Sequence, residues 1–424
     1  MRRAVGTLLG KSVAGAVRIR GKSGGQAMPG LVVETLIPGY LGVMLRQLPD
    51  GVIIITGTNG KTTTTKMVVE LLQANGKRVL TNPTGSNLTR GIISSVSQQA
   101  RRGGKLPFDI AVFELDEAYA RQFTDVVKPR YVLGLNASRD QLDRFGEVDK
   151  VAELISETML SATTAIITNA DDKRLSTAVA TAKAPIVYFG VSPALLKYFP
   201  RDDELVAVDA QTPLLQARNL SAEVELVAFK DENATYRIGQ KQTNARLQVT
   251  GQHNFQNAAA ALALVRTILP NLEPTKLVGQ LSMVRPAFGR GQAFKLKNGS
   301  NLQLNLVKNP ASFRQGLASY VRPNTTIMVA INDRIADSRD MSWLWDVDFT
   351  SLQGHEVALT TGVRAVDMAL RLQYDNITAK TVEPDTDAAL KVFCKLPGDK
   401  VVFASYTAML HVHAQLTRKA GTQL

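Results

Sequence analysis

The chain has 424 residues, of which 45% are hydrophobic and 21% are charged. This composition is that of globular proteins and excludes a disordered or collagen-like chain, and the length predicts two or three domains. Lys and Arg (50) exceed Asp and Glu (37), which indicates an anionic partner: a nucleotide, a phosphorylated substrate, a phospholipid or a nucleic acid. Because no nucleic-acid recognition motif is present and aromatic residues make up only 6%, we expect no nucleic-acid partner.

The single cysteine excludes an internal disulfide and a cysteine-clustered zinc site. Cys394 follows Lys391-Val392-Phe393, a run that predicts a strand, in which a lone cysteine is a small buried side chain. The alternative, a catalytic nucleophile, has no signature around it.

The first 50 residues form a basic leader with seven basic residues and two acidic ones. Its apolar residues fall at helical spacing beside the basic positions (Val5, Leu8, Leu9, Val13, Ala16 and Val17). Two interpretations stay open: a helix on an anionic membrane surface, or a helix packed on its own domain with solvated charges. Lys11 interrupts the apolar run that a signal peptide needs, and no stretch suits a membrane span. We therefore expect a cytoplasmic protein, at the inner face of the membrane if the first interpretation holds.

The next part of the chain alternates between apolar runs and helical stretches. The β-branched run at 52–55 predicts a strand buried on both faces, and a helix at 66–73 ends at Asn75-Gly76. Further strands are expected at 109–114, 131–135, 165–169 and 185–189. This alternation predicts an α/β domain with a doubly wound parallel sheet.

Residues 200–250 differ from the preceding part of the chain in that their apolar residues alternate with polar ones. This alternation predicts an antiparallel insertion. A helix starts near Asn254, and the stretch 286–292 with its two glycines marks a domain boundary. Strand–helix alternation then resumes to the end of the chain. We predict three parts: the leader at 1–50, a central domain at 51–285 and a smaller Rossmann-like α/β domain at 290–424.

The loop after the first strand carries the strongest functional signal, Thr56-Gly57-Thr58-Asn59-Gly60-Lys61-Thr62-Thr63. Backbone N–H groups of such a loop at a helix N-terminus wrap phosphate oxygens. Lys61 would reach the terminal phosphates, and the Thr62 hydroxyl would bind Mg²⁺. The first glycine of the common G-x-x-x-x-G-K-[ST] pattern would fall at Ile55, so the match is partial. The residues from Gly57 to Thr63, placed between a strand and a helix, predict a nucleoside triphosphate site.

The same loop resembles the phosphate loop of the Mur ligase superfamily, and four further segments support the resemblance in chain order. Glu114, at the end of the apolar run 110–114, resembles the family's second Mg²⁺ ligand. Residues 136–144 resemble its aspartate-histidine-leucine-aspartate element, with Gln141 in the place of the histidine.

The last two of these segments are 251–257 and Gly289-Arg290. The first resembles the start of the family's adenine-binding helix, so His253 and Asn257 are candidate nucleotide contacts, although His253 in this position also suits a helix cap. The second resembles the interdomain arginine motif. The resemblance implies a Mur ligase-like central domain that binds ATP and Mg²⁺.

Within the superfamily, the chain resembles the MurT branch, the synthetase subunits of lipid II isoglutaminyl synthases, over nearly its whole length. The segments that carry this resemblance are 27–31, 139–144, 169–172, 306–310, 342–349 and 406–408. In the segment 169–172, Asn169 and Asp171 are the residues to which the resemblance gives a nucleotide-binding role.

Two departures from the family pattern stand out. Members of the MurT branch commonly carry a four-cysteine zinc ribbon in the middle of the ATPase domain, and residues 200–250 contain no cysteine, so no zinc is expected. At the start of the last domain, Asn305 replaces a carboxylate expected near the ribose, and Lys308 replaces a histidine. An added cation at Lys308 suits an acyl phosphate, and a solvated residue at a strand end is the alternative.

The resemblance implies the chemistry as well. ATP would phosphorylate the α-carboxylate of D-glutamate in the lipid II stem peptide, and ammonia would displace the phosphate to leave D-isoglutamine. That chemistry needs Mg²⁺, a lysine and positioned donors rather than a protein nucleophile, and Lys61, Thr62 and Glu114 supply them, with Lys308 as an added cation. Ammonia would come from a separate glutaminase of the GatD type, whose site an aspartate of this chain completes.

Two aspartates are candidates for that contact with the glutaminase, Asp346 and Asp348, and we favour Asp346 because it follows Trp345 directly. The run 342–349 also has the alternation of a half-buried strand.

Three functions are therefore weighed: this amidoligase of peptidoglycan synthesis, a ligase adding an amino acid to a soluble acceptor as in folylpolyglutamate synthases, and a nucleotide-binding scaffold without catalysis. The runs 305–310 and 343–346 argue against the second. Gln141, Asn305 and the absent ribbon keep the third open.

Overall fold

The computed structural model describes residues 2–19, 27–82, 88–139, 148–199, 220–249, 251–286 and 290–420. For residues 18, 19, 290, 419 and 420 it describes the backbone alone. The chain divides into two compact units. Unit 1 comprises 1–138, 149–247 and 255–284, and unit 2 comprises 139–148, 248–254 and 285–424.

Unit 1 is built on one large sheet. Its strands are β1 (Gly51–Thr56), β2 (Val79–Thr81), β3 (Ile110–Glu114), β4 (Tyr131–Gly134), β5 (Ala165–Asn169), β6 (Ile186–Val191), β7 (Val224–Lys230), β8 (Asn233–Ile238) and β9 (Lys241–Arg246). The helices assigned to it are α1 (Arg2–Ile19), α2 (Met28–Leu36), α3 (Tyr40–Leu45), α4 (Lys61–Ala74), α5 (Thr89–Gln99), α6 (Glu117–Val126), α7 (Val148–Leu160), α8 (Lys173–Ala178), α9 (Gln252–Ile268) and α10 (Pro274–Gln280). Short 3₁₀ turns lie at Pro193–Tyr198 and Leu281–Met283.

The strand order in this sheet is β2-β3-β1-β4-β5-β6-β7-β8-β9. Strands β1 to β7 pair in parallel, and β7, β8 and β9 pair antiparallel. The apolar run of β1 is buried from Val52 onward, with strands on both sides of it and α4 packed against it. The predicted α/β class with a parallel sheet and an antiparallel section is confirmed. The antiparallel strands extend the same sheet at its edge.

The leader belongs to unit 1, where α1 packs on α2, α3 and α5. The Thr7 hydroxyl lies 2.8 Å from the Tyr40 hydroxyl, and a Cβ atom added at Gly6 would overlap the Tyr40 ring. The predicted leader helix is confirmed, and it is packed on its own unit. Among the described residues, none of the helices combines the length and the apolar composition that crossing a bilayer requires.

Unit 2 contains a six-stranded sheet in the order β10-β11-β15-β12-β13-β14. These strands are β10 (Arg290–Lys295), β11 (Asn301–Leu306), β12 (Thr326–Ala330), β13 (Val357–Thr361), β14 (Ala379–Glu383) and β15 (Lys400–Ala404). The helices are α11 (Pro310–Tyr320), α12 (Ala365–Tyr374), α13 (Thr386–Phe393) and α14 (Tyr406–Ala420), with 3₁₀ turns at Ile335–Asp337, Ser342–Asp346 and Thr350–Leu352. All pairs are parallel except β10 with β11. Separate hydrophobic cores fill the two faces of the sheet, which confirms the predicted second, smaller α/β sheet.

The predicted strand around Cys394 is wrong. The run 391–393 forms the last turn of α13, and Cys394 follows as its C-terminal cap with a partly buried side chain. The Asp385 carboxylate accepts the Asp387 and Ala388 amides and starts this helix, which turns Ala389, Leu390 and Phe393 inward. A short apolar run fits either element, and here the N-terminal cap favours the helix.

The strand-like reading of 342–349 is also wrong, because Ser342–Asp346 is a 3₁₀ turn. Leu344 is buried and Trp345 is 50% exposed, which is the reverse of the alternation that a half-buried strand requires.

Candidate functional site

The phosphate loop connects β1 to α4. Gly57 and Gly60 adopt positive φ angles of 132° and 87°, which side chains with a Cβ rarely accept. A Cβ atom at Gly60 would overlap the Asn257 amide oxygen, so a second residue predicted to bind nucleotide lies directly on this loop. The first N–H groups of α4, from Lys61 to Thr63, point out of the helix end, where an anion is favoured.

Asn136 holds the loop from the neighbouring strand end. The Thr58 amide donates to the Asn136 carbonyl (2.9 Å), and the Asn59 amide donates to the Asn136 side-chain oxygen (2.9 Å). Ser138 donates its amide to the Thr58 hydroxyl at 3.0 Å. The backbone of the loop is thus shaped by the segment that follows β4, the adjacent strand of the sheet.

Lys61 is buried and ion-paired. Its Nζ lies 2.6 Å from the Glu117 carboxylate and also donates to the Gly57 carbonyl. Burial alone would lower the pKa of the Lys61 ammonium, but the nearby carboxylates of Glu117 and Asp116 outweigh it and raise the pKa above its ordinary value. Lys61 therefore stays charged, as a phosphate-binding lysine must.

Thr62 and Glu114 form a pair of oxygen donors beside the loop. The Thr62 hydroxyl donates to the Glu114 carboxylate at 2.9 Å, although the two residues are 52 positions apart. The Asn82 side chain exchanges hydrogen bonds of 3.1 Å with the backbone N–H and C=O of Glu114 and fixes its position. Mg²⁺ is commonly held by one or two such donors together with substrate phosphates, so this pair fits Mg²⁺. Across the described residues, no group of three or more His, Cys, Asp or Glu side chains forms a metal-binding cluster.

Asn169 and Asp171 lie at the carboxyl end of β5. The Asn169 side-chain oxygen accepts the Asp171 amide at 3.0 Å, and the Asp171 carboxylate accepts the Val191 amide at 2.7 Å. Their neighbour Asp172 caps α8 and accepts the Ala137 amide at 2.8 Å. These bonds order the turn, and a nucleotide-binding role for Asn169 and Asp171 stays a prediction.

His253 lies in the first turn of α9, in the short part of that helix (252–254) that falls within unit 2. Its ring packs edge-on to Tyr320 at 6.4 Å between centroids. A Cβ atom at the preceding Gly251, whose φ is 103°, would come within 2.9 Å of the His253 ring and 3.0 Å of the Tyr320 hydroxyl.

Asn305 and Lys308, the two residues that depart from the family pattern at the start of the C-terminal domain, lie near the end of β11. Asn305 is 3% exposed, and neither polar atom of its side chain has a hydrogen-bond partner among the described residues. Lys308 lies two residues after the end of β11 and precedes Asn309, whose side chain caps α11. Lys308 is therefore held at a helix N-terminus, and its side chain is partly buried.

The structure distinguishes the two candidate aspartates. Asp348 accepts the hydroxyl (2.6 Å) and the amide (2.8 Å) of Thr350, and mainly the hydroxyl bond lowers its pKa. The Asp346 carboxylate is 40% exposed and meets Arg139 at 3.4 Å, within unit 2.

Arg371 holds the turn that presents Asp346. It is buried and donates to the carbonyls of Leu344 (3.2 Å) and Val347 (2.6 Å), which flank the exposed residues Trp345 and Asp346. The turn is thereby fixed, while Trp345 and the Asp346 carboxylate stay on the surface.

Part of the predicted site lies outside the described residues, namely 140–144 with Gln141, and Gly289. Of Arg290 the structure describes the backbone, which begins β10.

Comparison with known proteins agrees with this geometry. Residues 55–265 match the Mur ligase middle domain, and residues 306–409 match the MurT ligase C-terminal domain. Two relatives are the MurT subunits of lipid II isoglutaminyl synthase (glutamine-hydrolyzing) from Staphylococcus aureus strain COL and Streptococcus pneumoniae R6. Each is 29% identical to this chain, and the match covers 97% of both chains in the first case and 93% of both in the second. The chain belongs to the MurT family.

The fold agrees with that assignment. The MurF ligase of Thermotoga maritima, solved in complex with ADP, superposes with a TM-score of 0.68 at 16% identity, covering 91% of this chain and 83% of the other. As a MurT-family member, the chain is an ATP-dependent ligase.

Sequence reasoning missed Glu117, and it placed Asn136 in the segment 136–144 without giving it a role. Glu117 opens the helix after β3, and Asn136 follows β4. Both strands pair with β1 in parallel, and the carboxyl ends of parallel strands meet at one edge of the sheet. That rule was the signal available in the sequence, because both residues come shortly after predicted strands.

Proposed function

We propose that this chain is the synthetase subunit that amidates the D-glutamate α-carboxylate of the lipid II stem peptide. The observation that carries the proposal is the pairing of an intact phosphate site with a MurT-type C-terminal domain in one chain. That pairing favours the amidoligase over a folylpolyglutamate synthase-like ligase. The buried ion pair of Lys61 and the Thr62–Glu114 contact favour catalysis over a scaffold role.

In the proposed reaction, an oxygen of the glutamate carboxylate attacks the γ-phosphorus of ATP, and ADP leaves. The nitrogen lone pair of ammonia then attacks the acyl carbon, phosphate leaves with the electrons of the C–O bond, and the nitrogen loses a proton. Lys61 and the N–H groups of the loop bind the phosphates and balance the charge that develops on them. Thr62 and Glu114 would hold Mg²⁺, which supplies further positive charge at the phosphates.

We assign four further residues by position. Lys308, at the N-terminus of α11, is the cation of unit 2 that would stabilise the acyl phosphate. Asn257, which lies on Gly60, and His253 would contact the nucleotide, and Arg290 would take the role of the interdomain arginine.

Ammonia is proposed to come from a GatD-type glutaminase subunit, with the two chains forming a heterodimer. The free cysteine of this chain caps a helix, and no catalytic signature surrounds it in the sequence, so it is not a candidate nucleophile. Asp346 is the residue we assign to the contact with the glutaminase. Its carboxylate is 40% exposed on a fixed turn beside Trp345 and meets Arg139 at 3.4 Å, a longer contact than the bonds of 2.6 and 2.8 Å by which Thr350 engages Asp348.

The test uses purified chain, detergent-solubilised lipid II, Mg·ATP and ammonium chloride, with the product read by mass spectrometry. We expect a mass decrease of about one unit as a carboxylate becomes an amide, located at D-glutamate by fragmentation. Lys61→Ala should abolish it, while Lys66→Ala, one turn further along α4 and on the surface, should retain it.

Two outcomes would contradict the proposal. If the chain bound ATP but formed no amide, even after the glutaminase is added, the result would favour a nucleotide-binding scaffold without catalysis. Amino-acid addition to a folate-type or other soluble acceptor would make the chain a different ligase.

A further inference from the structure

Helix α1 packs on unit 1 through its small residues. Gly6, Thr7, Gly10 and Ala14 are buried. Two of its larger apolar side chains face outward instead, with Val5 48% and Leu8 69% exposed, while Leu9 and Val13 are partly buried. Moving an apolar side chain out of water lowers the free energy. This outward stripe therefore indicates a second apolar environment that the fold itself does not provide.

Basic residues lie close to this stripe. The first 33 residues contain no Asp or Glu, and the Glu34 carboxylate forms an ion pair with Arg90 at 2.7 Å. The loop at 101–105 adds exposed Arg101, Arg102 and Lys105. This loop lies against the start of α1, since a Cβ atom at Gly104 would come within 2.6 Å of the Arg3 Cβ.

Several basic residues elsewhere on unit 1 form ion pairs with carboxylates. Lys77 pairs with Asp50, Arg78 with Asp109, and Lys241 with Glu273. Within the described ranges, no ion pair is formed by the residues that we call the basic face: Arg2, Arg3, Arg101, Arg102 and Lys105. Their charge therefore stays available to an external anion.

We propose that the basic face, together with Val5 and Leu8, docks this chain on the anionic surface of a phospholipid bilayer. Cationic side chains beside an exposed apolar stripe match a layer of anionic headgroups above a hydrocarbon region. A nucleic acid would match the charge but leaves Leu8 in water. The inference extends the proposed function, whose acceptor is carried by a membrane lipid, but it rests on the geometry of α1 and not on the reaction.

The experiment measures sedimentation of the full chain with sucrose-loaded vesicles. Vesicles of phosphatidylcholine with about 30% phosphatidylglycerol are compared with vesicles of phosphatidylcholine alone. We expect binding to the anionic vesicles only, weakened as NaCl rises from about 0.05 M to about 0.5 M because salt screens the attraction.

Variants separate the charge from the apolar stripe. A basic residue close to an anionic surface contributes about fivefold to the partition coefficient, so Arg101→Glu/Arg102→Glu should lower it by about 25-fold or more. Lys230→Glu/Lys276→Glu makes the same change in net charge at exposed positions on β7 and α10 and should bind nearly as wild type. Leu8→Ser should weaken binding several-fold, and Leu160→Ser, at a 45% exposed position on α7, should not.

Three results would overturn the proposal: no sedimentation with anionic vesicles at low salt, equal binding to neutral vesicles, or equal losses in the surface variants and their controls. The test is independent of the proposed function. The same variants should amidate detergent-solubilised lipid II at the wild-type rate, so loss of vesicle binding and loss of the reaction can be told apart.

Discussion

The ammonium of Lys61 lies 2.6 Å from the Glu117 carboxylate, and both side chains are more than 90% buried. A phosphate-binding lysine that already has a counter-ion can bind a nucleotide only by sharing or exchanging that partner. Glu117 is thus placed to balance the buried charge while the phosphates are absent.

We expect Glu117→Gln to destabilise the nucleotide-free chain and to tighten nucleotide binding. The substitution leaves a buried ammonium without its counter-charge, which costs about 3 kcal/mol of unfolding free energy. Nucleotide phosphates restore the balance, so the dissociation constant for ADP should fall by about tenfold, since the lost carboxylate no longer competes. Urea denaturation and calorimetric titration measure the two effects.

The control for this prediction is Glu70→Gln, which removes the exposed i,i+4 partner of Lys66 on the same helix. Exposed pairs contribute little, so both measurements should stay close to wild type. Weaker ADP binding in Glu117→Gln would show instead that Glu117 aims Lys61 at the phosphates.

Gly60→Ala should damage the phosphate loop more than its backbone strain alone explains. A left-handed alanine costs about 1–2 kcal/mol, and here the new methyl group would also overlap the Asn257 amide oxygen. We expect the ATP-dependent rate to fall by at least about tenfold, because small displacements of a phosphate-binding backbone weaken catalysis strongly.

Gly76→Ala provides the matched control, since Gly76 has a similar φ of 82° and nothing lies within 4 Å of an added Cβ. Gly76→Ala should introduce a comparable backbone strain and lose a comparable amount of unfolding free energy, but it should keep its activity. Equal activity losses in the two variants would show that the contact with Asn257 is unimportant.

The fold of unit 1 could be predicted well because its signals are local. The β-branched run of β1 and the Asn75-Gly76 stop are properties of short segments. The start of α4 was missed, because four consecutive threonines at 62–65 have low helix propensity. The helix nevertheless begins at Lys61, where Gly60 turns the chain and the buried contacts of Lys61 and Thr62 hold the first turn.

The site could be predicted only as far as its motifs reach. Lys61, Thr62 and Glu114 were predicted because each belongs to a recognisable run, and the structure places them together beside the loop. Glu117 was not, because its role depends on a contact across 56 residues that no local pattern encodes. The turn at Asp346 was misjudged for a similar reason. Arg371, which holds its carbonyls, is 25 residues away and gives no signal in the run 342–349.

Asp346→Asn should separate the two sources of ammonia. If Asp346 completes the partner's glutaminase site, glutamine-dependent amidation should fall by at least about 10²-fold, as expected when a charged residue that orients a catalytic base is neutralised. Amidation with ammonium chloride should be unchanged, because it bypasses that site. Mass spectrometry of lipid II with each nitrogen source gives both rates.

Asp348→Asn is the comparison variant, and it should reduce unfolding free energy through the lost Thr350 contacts while leaving both rates near wild type. If this variant, and not Asp346→Asn, lost only the glutamine-dependent rate, the assignment would pass to Asp348.

Asn305→Leu should stabilise the chain and impair its activity. The Asn305 amide is 3% exposed and has no partner among the described residues, and an unsatisfied buried polar group costs about 1–3 kcal/mol. Replacing it with an apolar side chain of similar size should raise the unfolding free energy by about 1 kcal/mol, measured in urea. The ligase rate should fall if the amide serves a ligand.

Gln303→Leu, on the same strand, removes a bond of 3.3 Å to the Gly291 carbonyl and should give no stabilisation. Destabilisation by Asn305→Leu would mean that the amide is satisfied in solution, and an unchanged rate would remove it from the site.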